Sequence, residues 1–376
     1  VVLRQASDVH VDPERDAVRV RLRVDGGLEE YHRLPAAVHA ALCSRIKVLA
    51  GMDIAERRAP QDGAFTYRLG APDSPQAIDV RVASLPVRHG ERMTLRLLAP
   101  QDRHLTLDRL GMDAAAADVV ERVLAQPHGL VLLTGPTGSG KTTTLYAVIR
   151  RLMERQSLNV LTVEDPIEYE IPGVGQAEVD AADKVSFHKA LRSLLRHDPD
   201  VVMIGEIRDA ESLDIAIKAS LTGHLVLSTL HTNNAPSVVT RLVDMGVPPH
   251  LIGATLRLSV AQRLVRSLCP HCRQVRELTS AEAIALGRPA IAGRPAYEPK
   301  GCLYCAGRGF AGRVGLFECL LPDAETAALI AGGATEVQLV ADLKKRGFRT
   351  LLDDAVAKIL AGTTTAAEVL EVATEA

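Results

Sequence analysis

One short segment limits the possible folds of this 376-residue chain more than any other feature. Residues 135–142 read Gly-Pro-Thr-Gly-Ser-Gly-Lys-Thr, which is the complete P-loop pattern. The segment follows the apolar run 130–133 and precedes a helix-forming stretch. Because a P-loop joins a strand to a helix, this context supports a phosphate site within an α/β core.

The residue types of this segment suit phosphate binding. Its glycines let the backbone curl so that N–H groups face the phosphates, and the start of the following helix favours anions. Lys141 is expected against the β- and γ-phosphates, and Thr142 is expected on Mg²⁺. The alternative is a glycine turn that binds nothing. The predicted nucleotide-binding residues here are Gly135, Pro136, Thr137, Gly138, Ser139, Gly140, Lys141, Thr142 and Thr143.

Hydrophobic periodicity divides the chain into parts. Before residue 100, alternating strands and one helix near 36–50 indicate a small α/β domain. A loop carrying Pro100 places its boundary near residue 105. Beyond it, short apolar runs alternate with longer amphipathic segments, which indicates parallel strands with crossover helices. The predicted fold class is α/β, with an N-terminal domain (1–100), a P-loop core (106–265), an irregular insert (266–318) and a C-terminal helical part (319–376).

Acidic residues follow two of the apolar runs. Glu206 comes just after the run 201–204, and Glu164 follows the run 160–163. Carboxylates at the carboxyl ends of parallel strands lie in the ligand crevice, where they can contact Mg²⁺ or polarise water. Gly205 stands where an Asp is common. Contact with Mg²⁺ and polarisation of water are therefore expected to depend more on Glu206. The alternative for the cluster at Glu164 is a solvated charge run.

Two histidines bracket the apolar run 225–227. His224 precedes this run and His231 follows it, so both are candidate nucleotide contacts. His231 is on the carboxyl side and is the better placed to sense the γ-phosphate. A hydrogen-bonded structural role is the alternative for each.

Four cysteines form two C-x₂-C pairs, Cys269 with Cys272 and Cys302 with Cys305. Two such pairs brought together can hold a tetrahedral Zn²⁺ through four thiolates, which predicts a closed, structural site. Buried thiol pairs or a redox C-x-x-C are the alternatives. Cys43 and Cys319 are expected to be core residues.

Composition narrows the classes of function. The formal net charge is -2 and aromatic residues make up 3%, so the basic, aromatic-rich surface of a nucleic-acid enzyme is not indicated. No apolar run reaches the roughly 20 residues that span a bilayer. No signal peptide is recognisable at the start of the chain.

Several segments in fixed order resemble those of the traffic ATPases of type II secretion and type IV pilus assembly. Residues 7–13 resemble the opening of the family's second N-terminal domain. Residues 164–168, 205–209 and 222–233 resemble its acidic, Walker B and histidine segments. The resemblance implies a PAS-like N-terminal domain and a RecA-like ATPase core.

The same resemblance implies how the site works. It implies a homo-hexameric ring with ATP between subunits, Glu206 as general base and Glu164 assisting at Mg²⁺. Arg81 and Arg96 match family arginines that reach the nucleotide and stabilise the transferring phosphoryl charge. Their alternative is a pair of surface arginines. The implied cofactors are ATP, Mg²⁺ and Zn²⁺.

The cysteine pairs disfavour a pilus retraction motor, because the resemblance implies that retraction motors lack them and pilus assembly motors share them. Residues 89–92 and 219–228 resemble the secretion branch more closely, which favours a motor for type II secretion, with a type IV pilus assembly motor as the alternative. A nucleic-acid-translocating motor and a non-hydrolysing nucleotide-binding scaffold are further alternatives. The expected partners are inner-membrane platform and docking proteins, with no nucleic acid. The expected location is cytoplasmic, peripheral on the inner face of the bacterial inner membrane.

Two features depart from the family pattern. Ala64 stands where the family usually has Arg, so a contact from this position is not expected. The family's first N-terminal domain, which docks on the inner-membrane partner, has no counterpart. We therefore expect a truncated form of a longer protein.

Overall fold

The computed structural model describes residues 6–69, 76–98, 106–155, 157–179 and 186–373. The chain divides into two compact units, residues 1–103 and 104–376. The loop carrying Pro100 and the predicted boundary near residue 105 lie outside the described residues.

In its described residues, the first unit is an antiparallel sheet with one α-helix. Val18 and Leu22 are fully buried on β2 while the arginines between them are not, as the alternating pattern predicts. Helix α1 packs Cys43 and Ile46 into the same core as Val80 and Met93. The strand order is β3-β2-β1-β6-β5-β4. The elements are β1 (Ala6–Pro13), β2 (Ala17–Val24), β3 (Gly27–Pro35), α1 (His39–Leu49), β4 (Gln61–Leu69), β5 (Gln76–Val87) and β6 (Gly90–Leu98).

The second unit is built on a seven-stranded sheet in the order β15-β12-β7-β11-β10-β8-β9. All neighbouring strands are parallel except β12 and β15. The strands of the unit are β7 (Gly129–Thr134), β8 (Val160–Glu164), β9 (Gly175–Glu178), β10 (Val201–Ile204), β11 (Leu225–Leu230), β12 (Leu256–Leu268), β13 (Gln274–Glu277), β14 (Pro295–Glu298) and β15 (Phe310–Leu320).

Helices cover both faces of this sheet. On β7, Leu130 and Leu132 face one apolar cluster, and Val131 and Leu133 face the other together with helix α3. Strand β7 is therefore buried along its whole length, as expected of a central strand in a parallel sheet covered on both faces. The helices are α2 (Ala114–Leu124), α3 (Lys141–Arg155), α4 (Phe187–Leu194), α5 (Ala210–Leu221), α6 (Ser237–Asp244), α7 (Pro249–Thr255), α8 (Ser280–Ala285), α9 (Ala324–Ala331), α10 (Glu336–Lys345), α11 (Leu351–Leu360) and α12 (Ala366–Ala373).

The segment between β12 and β15 contains the two cysteine pairs. Its β13 and β14 form a small antiparallel hairpin outside the main sheet. Strand β15 begins at Phe310, inside the range 266–318 predicted to be an irregular insert, because residues 310–318 pair with β12 and extend the core sheet. Within the described parts of the chain, no helix combines the length and apolar character needed to cross a membrane.

Candidate functional site

The P-loop connects β7 to α3 at the carboxyl end of the parallel strands. Gly135, Gly138 and Gly140 have φ values of 146°, 80° and 86°, which residues with a side chain rarely adopt. Lys141 is the first residue of α3, and its Nζ donates to the carbonyl oxygens of Gly135 at 2.8 Å and Pro136 at 3.0 Å. The loop therefore curls around its own lysine, and the predicted contact of Lys141 with phosphate stays a prediction.

Burial gives Lys141 an unusual acidity. Desolvation lowers the pKa of its ammonium group to about 8, with Arg263 adding to this effect and Glu206 opposing it. An anionic phosphate beside the ammonium group would favour its charged form. Burial therefore makes the charged form of Lys141 less favourable, and this lysine lies beside a loop whose backbone N–H groups suit anions.

Strand β12 packs closely against the P-loop, and the P-loop motif alone did not indicate this contact. A Cβ atom at Gly135 would lie 2.4 Å from the backbone oxygen of Gln262, and one at Gly140 would lie 2.8 Å from the Gln262 side chain. Thr144 of α3 donates to that same side chain at 2.8 Å. Arg263 is buried and donates to the Asn233 carbonyl at 3.0 Å. The close approach of β12 explains why two P-loop positions need glycine.

Glu206 follows β10 and makes two polar contacts at the same sheet edge. One carboxylate oxygen lies 3.1 Å from Nε2 of His231, which follows β11. The other lies 3.2 Å from Nε of Arg208, whose Nη1 also contacts Asp165 at 3.3 Å. These contacts link the ends of three neighbouring strands, β8, β10 and β11.

Glu164 is the last residue of β8 and is only 2% exposed. Thr162 donates to its Oε1 at 2.7 Å and Gln176 donates at 3.0 Å. The hydroxyl of Tyr146 donates to its Oε2. Burial, reinforced by this bond to Glu164, raises the pKa of Tyr146 well above its usual range, so its hydroxyl stays a donor.

The parallel order of the sheet decides which predicted residues share an edge. The P-loop, Glu206 and His231 follow β7, β10 and β11 at their carboxyl ends, and Glu164 closes β8 there. Thr142 in the first turn of α3 supplies a hydroxyl oxygen, and Glu164 and Glu206 supply carboxylate oxygens, which are the ligands that suit Mg²⁺.

His224 lies at the opposite edge of the same sheet. It precedes β11, and its Nδ1 lies 3.0 Å from the carbonyl oxygen of Ala219 and 3.2 Å from the hydroxyl of Thr222. Both partners belong to the end of α5 and the turn that follows it. Within one chain, the structure does not bring His224 to the P-loop.

Arg81 and Arg96 lie directly opposite each other on β5 and β6 of the first unit. Nε of Arg96 lies 3.1 Å from Asp8 on β1, and its side chain is mostly exposed. The unit thus presents two arginines side by side on one face of its sheet, since residues directly opposite in neighbouring strands share a face.

The four predicted zinc ligands come together. The Sγ atoms of Cys269, Cys272, Cys302 and Cys305 all lie within 4.8 Å of one another. Cys269 and Cys302 are 3.9 Å apart at sulfur, and Cys272 and Cys305 are 3.7 Å apart. Tetrahedral Zn²⁺ with Zn–S bonds of about 2.3 Å requires S···S separations of about 3.8 Å. The cluster therefore fits zinc, and the sulfur atoms are too far apart for disulfides.

Backbone donors prepare part of this cluster for a metal. Burial opposes ionisation of Cys305, but N–H groups of Cys302 and Gly309 donate to its sulfur at 3.2 and 3.1 Å and lower its pKa to about 6. Cys43 and Cys319 lie outside the cluster, and burial raises their pKa values to about 11 and about 12. Both therefore behave as core thiols.

Comparison with known proteins gives consistent results. The family described as "Type II/IV secretion system protein" matches residues 1–371. Type II secretion system protein E of Klebsiella pneumoniae is 47% identical over 99% of this chain and 73% of its own length. Type II secretion system ATPase E of Vibrio cholerae is 44% identical over 98% of this chain and 72% of its own length.

Solved structures support the same fold. The pilus retraction motor PilT with bound ADP covers 99% of this chain and 94% of its own, at 25% identity and a TM-score of 0.65. The Legionella pneumophila ATPase DotB covers 100% of this chain and 93% of its own, at 22% identity and a TM-score of 0.72. At that identity, the likeness to DotB speaks for the fold alone.

Proposed function

Because the chain belongs to the type II/IV secretion system protein family, we propose that it is an ATP-hydrolysing motor that powers type II protein secretion by driving pseudopilus assembly at the inner membrane. One observation carries the proposal. The chain shares 47% identity with a type II secretion protein E over 99% of its length, and that length includes the complete P-loop.

The roles of the site residues follow from their positions. Lys141 neutralises the β- and γ-phosphates, and the loop N–H groups bind their oxygens. Thr142 and Glu164 would hold Mg²⁺, which supplies charge neutralisation on the transferring phosphoryl group. Glu206 accepts the proton of the attacking water, and His231, 3.1 Å from it, orients that carboxylate and senses the γ-phosphate.

The family resemblance assigns the nucleotide site two further residues, which lie in the first unit. Arg81 is half-buried and Arg96 is exposed, and such a pair of cations can stabilise phosphoryl charge when delivered from a neighbouring domain or subunit. We therefore infer a homo-hexameric ring with nucleotide between subunits, peripheral on the cytoplasmic face of the inner membrane and in contact with platform and docking proteins. The four-cysteine site would bind Zn²⁺ as a structural element.

The test is Mg²⁺-dependent ATP hydrolysis measured across protein concentration. Activity per chain should rise steeply with concentration as rings assemble. Glu206→Gln should lose about 10²–10⁴-fold in kcat, because it removes the general base. Glu154→Gln, an exposed position on α3, is the matched control and should behave as the native chain. Equal activity of dilute and concentrated protein would contradict a shared site, and full activity of Glu206→Gln would contradict its role.

Type IV pilus assembly is the second candidate, because the chain shares its fold with a pilus retraction motor and the two kinds of pilus motor act on the same fibre. The two candidates differ in what they restore. In a bacterium lacking its own type II secretion ATPase, the chain should restore release of secreted enzymes. Restored surface pili in a strain lacking the assembly motor, without restored secretion, would favour the pilus alternative.

A further inference from the structure

Glu164 is held by donors from three different elements. Tyr146 is on α3, Thr162 is on β8, and Gln176 is on β9. Both carboxylate oxygens accept hydrogen bonds, and the side chain is only 2% exposed. A buried carboxylate with donors on both oxygens is fixed in one orientation, so its direction depends on those donors.

Gln176 also organises the loop that follows Glu164. Its Nε2 donates to the carbonyl oxygen of Tyr169 at 3.2 Å, and its Oε1 accepts the N–H of Ile171 at 2.7 Å. Glu178, two residues further along β9, accepts the N–H of Ile167 at 2.8 Å. One amide side chain therefore binds both the carboxylate and the backbone of the segment 165–174.

Tyr146 connects this carboxylate to the P-loop helix. It lies five positions after Lys141 in α3, and its side chain is fully buried. The ring packs edge-on against Tyr169, with centroids 4.6 Å apart and planes at 86°. Because packing fixes the ring on α3, the helix that presents Lys141 and Thr142 also carries a donor for Glu164.

We propose that Tyr146 and Gln176 are positioning residues that orient Glu164 toward the magnesium–nucleotide complex. This rests on the proposed function and deepens it. Neither residue is expected to touch the nucleotide, and both act through Glu164. Donors around metal-site carboxylates commonly contribute 10–100-fold in metal affinity or activity.

The proposal is tested by the Mg²⁺ dependence of binding of a fluorescent, non-hydrolysable ATP analogue, which requires no turnover. Native protein should bind the analogue more tightly with Mg²⁺ than with EDTA. Tyr146→Phe removes only the hydroxyl. It should reduce the ratio of the analogue affinity in Mg²⁺ to that in EDTA by about tenfold and leave the affinity in EDTA unchanged. Glu164→Gln sets the lower limit, and Tyr297→Phe on β14 is the control for the same chemical change elsewhere.

A second variant removes a donor to Glu164 without changing the aromatic ring of Tyr146. Gln176→Met keeps a similar volume but removes the amide donor, and it should reduce the Mg²⁺ effect in the same direction. In hydrolysis, both variants should raise the KM for Mg²⁺–ATP, in line with the weaker Mg²⁺-dependent binding, and lower kcat/KM by about tenfold or more. A native-like Mg²⁺ response in both variants, or in Glu164→Gln, would overturn the proposal. Inactive native rings that still show the Mg²⁺ response would instead refute the motor function.

Discussion

The nucleotide site and the four-cysteine cluster, both in the second unit, are positioned by different means. The P-loop, Glu164 and Glu206 take their places from buried parallel strands whose carboxyl ends share one edge. The cysteines lie in loops beside a small hairpin, and one of them, Cys269, directly follows β12. The first site is positioned by the sheet. The segment that carries the cysteines also packs Leu278 and Ala296 into the large apolar cluster, and bonds from its thiolates to a metal would add to its stability.

Strand β12 is the physical connection between these regions. Gln262 and Arg263 in its middle support the P-loop, and Cys269 follows its last residue. If the sheet alone positions the nucleotide site, damage to the cysteine cluster should not reach the P-loop. If β12 transmits strain, damage to the cysteine cluster should weaken nucleotide binding at the P-loop.

The largest expected effect is the loss of zinc from Cys305→Ser. Four thiolates share an apparent binding free energy of roughly 10–16 kcal/mol, so losing one should weaken zinc binding by about 3 kcal/mol or more. Zinc content after chelator competition measures this. Cys319→Ser, outside the cluster, should retain zinc. ATP-analogue affinity within twofold of native would show that the regions are independent, and a larger loss would show that β12 couples them.

The sequence predicted the nucleotide region well because each of its signals is local. The apolar runs 130–133, 160–163, 201–204 and 225–227 coincide with β7, β8, β10 and β11. The α/β fold class, the ATPase function and the family are confirmed by the fold and the comparisons. The roles of individual residues stay predictions.

Other features could not be read from the sequence because they depend on pairing across long separations. The position of β15 in the core sheet follows from its pairing with β12, more than 40 residues earlier. The donors to Glu164 come from three elements, and Tyr146 looks like one more apolar residue of α3 in the sequence. The support of the P-loop by Gln262 likewise has no local pattern.

A smaller effect is expected from glycine substitutions in the cysteine region. Gly301 has φ 94°, and a Cβ atom there would lie 2.4 Å from the carbonyl oxygen of Gly307. Gly301→Ala should therefore weaken zinc binding by about 2 kcal/mol, through backbone strain and the clash. Gly287 has φ 63° with open space around it, so Gly287→Ala should weaken zinc binding by only about 1 kcal/mol. Equal zinc affinities of the two variants would mean that the cysteine loop adjusts to an added side chain, unlike the P-loop, whose glycines pack against β12.

The smallest effect tests the electrostatics of the nucleotide region. Burial lowers the pKa of Lys141 to about 8, so its ammonium group loses its proton as the pH rises through that value. Phosphate favours the charged form, which makes nucleotide binding weaker above the pKa and constant well below it. Affinity for the ATP analogue in EDTA should fall about tenfold from pH 7 to pH 9.

Lys141→Arg separates this titration from other causes. Arginine keeps its charge across this range, so the variant should bind with nearly constant affinity from pH 7 to pH 9, whatever its absolute strength. The cysteine variants should keep the native pH dependence, because the group that titrates belongs to the sheet edge and not to the insert. The same tenfold fall in Lys141→Arg would assign the titration to another group. A changed pH dependence in Cys305→Ser would show that β12 carries the state of the cysteine cluster to the P-loop lysine.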